Sequence, residues 1–341
     1  MRKFLKYYPY VLCACVWSVG AGTAWTQAWQ LNPLVQFNGT NGANPNTALI
    51  PGNNGIYYGT TYNRGSNNLG TVFNVTTNGT LTTLVNFART NGANPKGLTW
   101  GADGNLYGTT YYGGDNSKGT VFALTTNGAL TTLVSFANTN GAFPNAALTP
   151  GPDGSFYGTT VFGGDNKVGT VFHVTTNGTL TTLVSFANTN GAFPNAALTL
   201  GQNGIFYGTT SQGGSNNLDL GTVFKMTTNG TLTTLVSFNT TNGANPDADL
   251  TLGVDGSFYG TTFGSSNGLG TLFQLSPVSV PPVPLDISLL SNTVVLSWTN
   301  PAFSLQSAPE VFGSYTNIPG SASPYTNPIS GARQFFRLIE N

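Results

Sequence analysis

Apolar and polar positions alternate along this chain in short bursts. Runs of four to eight residues rich in Thr, Val, Phe and Tyr recur between clusters of Gly, Asn, Asp and Pro. That alternation and punctuation predict short strands, not helices. Between 146 and 186 the runs read "AALT" (146–149), "SFYGTT" (155–160), "GTVFHVTT" (169–176) and "TLTTLVSF" (179–186). The dipeptide Asp153-Gly154 separates the first two, and Asn177-Gly178 separates the last two. Both dipeptides suit type I′ hairpin turns, so the four runs predict an antiparallel meander.

The pattern repeats. "YGTT" starts at Tyr58, Tyr107, Tyr157, Tyr207 and Tyr259, spaced 49, 50, 50 and 52 residues apart. "GTVF" or "GTLF" follows at Gly70, Gly119, Gly169, Gly221 and Gly270. A four-stranded unit of this size cannot cover its own faces, and its neighbours must do so. Radial stacking of such units predicts a β-propeller. The last copy stops at "SPVSVPPVP" without its fourth run, whereas "LVQF" (34–37) stands alone ahead of the first copy. The fold expected is therefore all-β: a five-bladed β-propeller over 29–275, closed by an N-terminal latch strand at 34–37. A Pro-rich linker follows at 276–284. Residues 285–341, with Trp298, Phe335 and Phe336 as core, are expected to form a small β-sandwich-like module.

The first 28 residues read as a secretory signal peptide, with a basic start, an apolar middle and small residues up to Ala28. Its apolar run is short and broken by glycines, and no transmembrane span is expected in the mature chain. Both cysteines lie in this leader, leaving the remainder without disulfide or thiol chemistry. Charged residues make up only 6% of the chain, eleven basic against eleven acidic. No cluster of Lys and Arg exists to neutralise phosphates, which excludes nucleic acid as the expected partner.

Candidate chemistry follows from comparing the copies. Residues alike in every copy serve the scaffold, and those that vary are free to bind. Variation concentrates in the long loops opposite the hairpin turns: Arg64, Tyr111, Tyr112, Asp115, Phe162, Asp165, Gln212 and Phe263, with Phe143 and Phe193 between blades. Aromatic faces beside Asn and Asp suit sugar rings, which offer an apolar face and a rim of hydroxyls. Asp103, Asp153 and Asp255 are turn residues, and His173 is a strand side chain without a second histidine to make a triad or zinc site. Asp247 and Asp249, spaced i, i+2 on the innermost strand of the fifth copy, fall on one face about 7 Å apart. They are channel-lining candidates, and such a pair suits acid–base work on a glycoside. The "GGDN" loops at 113–116 and 163–166 have too few carboxylates for a calcium site. No metal or other cofactor is expected.

The composite pattern "LVSF…NGAFP…LT.G.DGSFYGTT..GG….GTVF" resembles the GloVer (Gloeo/Verruco) tandem repeat over residues 34–275. The resemblance implies export and surface display, often with a separate C-terminal sorting or anchoring segment. It implies no activity or catalytic residues, and here no apolar tail with a basic stop follows the repeats. The tail is similar to the small module that ends many large exported proteins of similar bacteria. Together these readings predict a secreted, cell-surface or periplasmic protein that is not an enzyme, binding polysaccharide or another surface component such as a surface protein. The alternatives are a glycoside-active enzyme using Asp247 and Asp249, and a purely structural envelope repeat.

Overall fold

The computed structural model describes residues 30–277, 283–311, 313–329 and 333–340. The expected signal peptide and most of the Pro-rich linker lie outside the described residues.

Each repeat folds on itself into one antiparallel sheet. The first contains β1 (Ile50–Pro51), β2 (Ile56–Thr61), β3 (Thr71–Thr76) and β4 (Leu81–Asn86), and the second β5 (Ala93–Trp100), β6 (Leu106–Tyr112), β7 (Thr120–Leu124) and β8 (Leu130–Ser135). The third contains β9 (Thr149–Pro150), β10 (Phe156–Thr160), β11 (Thr170–Val174) and β12 (Leu180–Ser185). The fourth has β13 (Thr199–Leu200), β14 (Phe206–Thr210), β15 (Thr222–Met226) and β16 (Leu232–Ser237). The fifth has three strands only, β17 (Thr251–Leu252), β18 (Phe258–Thr262) and β19 (Thr271–Leu275). Strand order follows chain order in every one, a propeller-like succession of meanders. A single 3-10 turn, Asn53–Gly55, is the only helix among the described residues.

Two constant motifs hold each sheet together. The second threonine of "YGTT" meets the threonine of "GTVF" across the ladder, Oγ1 to Oγ1 at 2.8 Å, in all five sheets. The glycine of "YGTT" is needed for space. A Cβ on Gly158 falls 2.5 Å from the ring of Phe172, the "GTVF" phenylalanine that lies across it. That ring packs in turn against the last phenylalanine of the preceding repeat: Phe136 on Phe172, Phe186 on Phe224, Phe238 on Phe273, all edge-on at 5.1–5.3 Å. Repeats are thus sewn together by one recurrent aromatic contact.

The hairpin turns differ from the expected type I′. In the third repeat only the glycine, Gly154 or Gly178, has a positive φ. Gly154 N–H donates to Gly151 O and Gly151 N–H to Ser155 O, a type I turn closed by a left-handed glycine, and Thr175–Thr179 repeats that pattern. The side chain explains the choice. Asp153 accepts the Ser155 amide at 3.1 Å and Asn177 the Thr179 amide at 3.2 Å, an Asx turn that fixes the residue before glycine in a right-handed conformation.

The latch is half made. Phe37 packs on Phe73 at 5.3 Å, edge-on, as a preceding repeat's phenylalanine does elsewhere. Leu34 O lies 2.7 Å from where a Cβ on Gly79 would project, the place held by Leu84, Leu133 and Leu183 against the later glycines. Residues 34–37 nevertheless form no ladder, and among the described residues β19 pairs only with β18. The expected latch strand is therefore a segment seated on the first sheet alone. The cost appears in exposure. Val72, Val121, Val171 and Val223 are fully buried, whereas their fifth-sheet equivalent Leu272 is 77% exposed.

The tail forms two further sheets. Strands β20 (Asp286–Leu290), β21 (Thr293–Ser297) and β24 (Tyr325–Pro328) make one. Strands β22 (Phe303–Ala308), β23 (Thr316–Asn317) and β25 (Phe335–Glu340) make the other. Leu296, Trp298 and Leu305 form the buried core between them. The Trp298 indole donates to Phe303 O at 3.0 Å, satisfying its one polar atom.

Candidate functional site

In an antiparallel meander the two hairpin turns share one side, and the connections between strands two and three and between repeats share the other. Five of the sequence candidates come together on that second side. Tyr111 stacks on Phe143 at 5.3 Å and 29°, and Tyr112 meets both rings edge-on. Phe143 continues to Phe162 at 5.9 Å, and Phe162 to Phe193 at 5.2 Å. The result is a rail of five aromatic rings running from the second repeat to the fourth. Tyr112 and Phe162 are its exposed members, at 45% and 40%.

The backbone beneath this rail is unusual. Phe143 and Phe193 sit at φ 59° and 55°, in the left-handed region that bulky residues avoid. The other three repeats place Asn44, Asn94 and Asn245 there, the residue type that tolerates it. Asn94 and Asn245 also spend their amides on the carbonyls of Tyr62 and Ser211. Phenylalanine gives up that bond and accepts the strain, of order 1–3 kcal/mol, to put a ring in the rail.

Cations border the rings. Lys96 Nζ lies 4.6 Å from the centre of the Tyr62 ring and 5.2 Å from that of Tyr111, and Lys118 Nζ lies 4.9 Å from that of Phe143. Burial pushes the Lys96 ammonium below the ordinary lysine range and the Tyr62 and Tyr111 hydroxyls above theirs. A cavity of about 270 Å³ opens beside Tyr112, lined also by Arg89, Asn94 and Ser117. Tyr62, Arg89, Lys96 and Lys118 are missing from the sequence candidates. The signal was present for two of them: Tyr62 is the copy of Tyr111, and Lys96 stands where later copies carry Asn145, Asn195 and Asp247.

The remaining candidates do not join. Phe263 is 84% exposed and lies outside the run of ring contacts. Gln212 is exposed, and its backbone pairs with Ala192. Asp115 and Asp165 are exposed, with their amides on Ser135 and Ser185 Oγ. Among the described residues no three His, Cys, Asp or Glu gather into a metal-binding group. Arg64 is exposed at φ 67°, at the position of Gly113, Gly163 and Gly213.

Asp247 and Asp249 lie just ahead of β17 and not within a strand. Asp247 accepts from Asn195 Nδ2 and Asp249 from the Ala197 amide, each at 2.6 Å, so both tie the fifth repeat to the fourth. On the hairpin side, Asp153 is held below the ordinary carboxylate range by the Ser155 hydroxyl, and His173 lies 3.5 Å from it. A cavity of about 540 Å³ is also on that side, lined by Tyr207, Lys225, Leu235, Leu252 and Leu275. It opens where the fifth sheet lacks a fourth strand, on the side opposite the rail. We read it as part of the seam.

No helix among the described residues is long and apolar enough to cross a membrane. A family model described as the Gloeobacter/Verrucomicrobia repeat matches residues 19–152 and 147–283. No curated protein matches the chain. Among solved structures, an ulvan lyase of polysaccharide lyase family 25 aligns at 13% identity over 76% of this chain and 83% of its own, with a TM-score of 0.45. A gluconolactonase from Xanthomonas campestris aligns at 13% over 71% and 86%, with 0.39. An endo-1,4-β-xylanase from Bacteroides thetaiotaomicron aligns at 13% over 74% and 93%, with 0.37. These neighbours correct one expectation. They are named as enzymes, and the reading of this chain as not an enzyme is withdrawn.

Proposed function

We propose that this chain, which belongs to the Gloeobacter/Verrucomicrobia repeat family, is an exported five-bladed β-propeller of residues 29–275 that holds polysaccharide on its loop side. The observation that carries this reading is the aromatic rail. Two of its rings stand on left-handed backbone where sibling repeats use asparagine. Packing alone gives no reason to prefer a strained phenylalanine, because asparagine serves the same loop in three repeats. Ring faces that pair with the apolar faces of sugars do give a reason.

The test is a glycan array probed with the chain starting at Trp29, alongside the double variant Phe143→Asn, Phe193→Asn. The variant copies the backbone chemistry of the sibling repeats, so its melting temperature should stay within a few degrees of the parent while glycan capture falls about tenfold or more. Undiminished capture by the variant overturns the assignment to this rail. Reducing-end release from each captured polysaccharide, followed in parallel, separates holding from turnover.

Closure of the ring belongs to the same reading. Residues 31–37 align with 180–186, whose ladder sets Leu180 opposite Val174, Val184 opposite Val171 and Ser185 opposite Thr170. Transferred to the fifth sheet, that register puts Leu31 on Leu275, Val35 on Leu272 and Gln36 on Thr271. Val35 would then cover Leu272, and Leu31, now 92% exposed, would lie against Leu275. Each well-buried apolar side chain contributes roughly 1.5–3 kcal/mol.

A further inference from the structure

The loop side is electrically uneven. Across the first three repeats it carries Arg64, Arg89, Lys96, Lys118 and Lys167 against Asp115 and Asp165. Across the last two it carries Asp219, Asp247 and Asp249, with no Lys or Arg on that side. The near-neutral total of the chain therefore conceals a cationic region that coincides with the aromatic rail.

Among the described residues, none of these five cations has a carboxylate within ion-pair distance. The only ion-pair contact among the described residues joins His173 and Asp153, on the hairpin side. Lys96 is the most telling. At its position in later repeats Asn145 donates to Asn195 O and Asn195 to Asp247 Oδ1, tying one repeat to the next. Lys96 instead stands half-buried between two tyrosine rings, a partly desolvated cation facing no carboxylate. Burying a charge without a counter-charge costs free energy, which an anionic ligand would recover. Arg89 lines the cavity beside Tyr112. Arg64 adds a second anomaly, a long cationic side chain at φ 67° in a position that three sibling loops give to glycine.

We propose that the rail takes an anionic polysaccharide, its carboxylate or sulfate groups meeting Lys96 and Arg89 while sugar faces lie on Tyr112 and Phe162. The inference rests on the polysaccharide reading above and narrows it to a charge class. Regular anionic groups along such a chain match a rail on which cations and rings succeed one another. Phosphate polymers fit less well, because the cations are dispersed among rings and do not form a dense stripe.

Affinity electrophoresis of residues 29–341, the chain without the segment expected to be its signal peptide, through gels holding polygalacturonate, dextran sulfate or neutral dextran tests this directly. One of the two anionic polymers should retard the protein far more than dextran does, and about 0.5 M NaCl should abolish the difference. The variant Lys96→Met, Arg89→Met should weaken that retardation about tenfold, whereas Lys96→Arg keeps most of it. Which polymer responds tells a carboxylate ligand from a sulfated one. Equal retardation by dextran, unchanged in the variant, overturns the charge class and leaves the polysaccharide reading standing. No retardation by any of the three polymers overturns both. Equal retardation by single-stranded DNA marks unspecific attraction and also overturns the proposal. Should the double variant melt early, the salt response and Lys96→Arg decide alone.

Discussion

Val171 and Leu272 occupy the same place in two nearly identical repeats, yet one is fully buried and the other 77% exposed. Their own sheets are alike: the same threonine pair, the same glycine under the same phenylalanine, the same ladder between strands two and three. The difference is the fourth strand. In the third sheet β12 covers Val171, and in the fifth no described strand pairs with the outer edge of β19 to cover Leu272. Burial in this molecule is therefore a property of the neighbour and not of the repeat. A repeat protein built this way has a strong middle and two ends that need each other.

The comparison breaks most sharply at the recurrent phenylalanine. Phe172→Ala removes a fully buried ring and should cost about 3–5 kcal/mol in urea unfolding. Phe273→Ala, on the uncovered sheet, should cost clearly less, and equal losses would refute the distinction between middle and end. The seam comes next. A Leu31→Cys, Leu275→Cys pair, oxidised in dilute protein, should crosslink within one chain and raise the melting temperature by several degrees. Crosslinked dimers in place of monomers would show that a second copy, and not the chain's own segment, covers β19. The smallest effect separates hairpin turns that carry Asp from those that carry Asn. Asp153 and Asp255 are held below the ordinary carboxylate range by the hydroxyls of Ser155 and Tyr259. Their contribution is present above the unfolded value near 3.9 and disappears as pH falls through the lower folded values. The melting temperature should stay level from about pH 7 to 5 and dip below about pH 4. Replacing both with Asn, as at Asn203, should flatten the dip, and an unchanged dip would place the titrating groups elsewhere.

Much of the fold was legible because the repeat signals are local. "YGTT", "GTVF" and the turn glycines each act within a few residues, so strand order and the spacing of sheets could be read directly. Turn type could not, because Asp-Gly and Asn-Gly suit two hairpin geometries and the Asx side-chain bond selects between them. The rail was half legible. Phe143 and Phe193 stood out by differing from their copies, but Lys96 and Arg89 passed unnoticed in a chain with so little charge. Their meaning depends on which rings they face, and that is fixed by contacts between repeats some 50 residues apart.

Hydroxyls, amides and rings, and not ion pairs, join these sheets, and the one ion-pair contact among the described residues lies at an exposed turn. Screening such a scaffold with salt removes almost nothing from its stability. The protein should therefore keep its shape from fresh water to brine. Any ionic-strength dependence in what it captures then reports the charge on the captured molecule, with the scaffold acting as its own internal control.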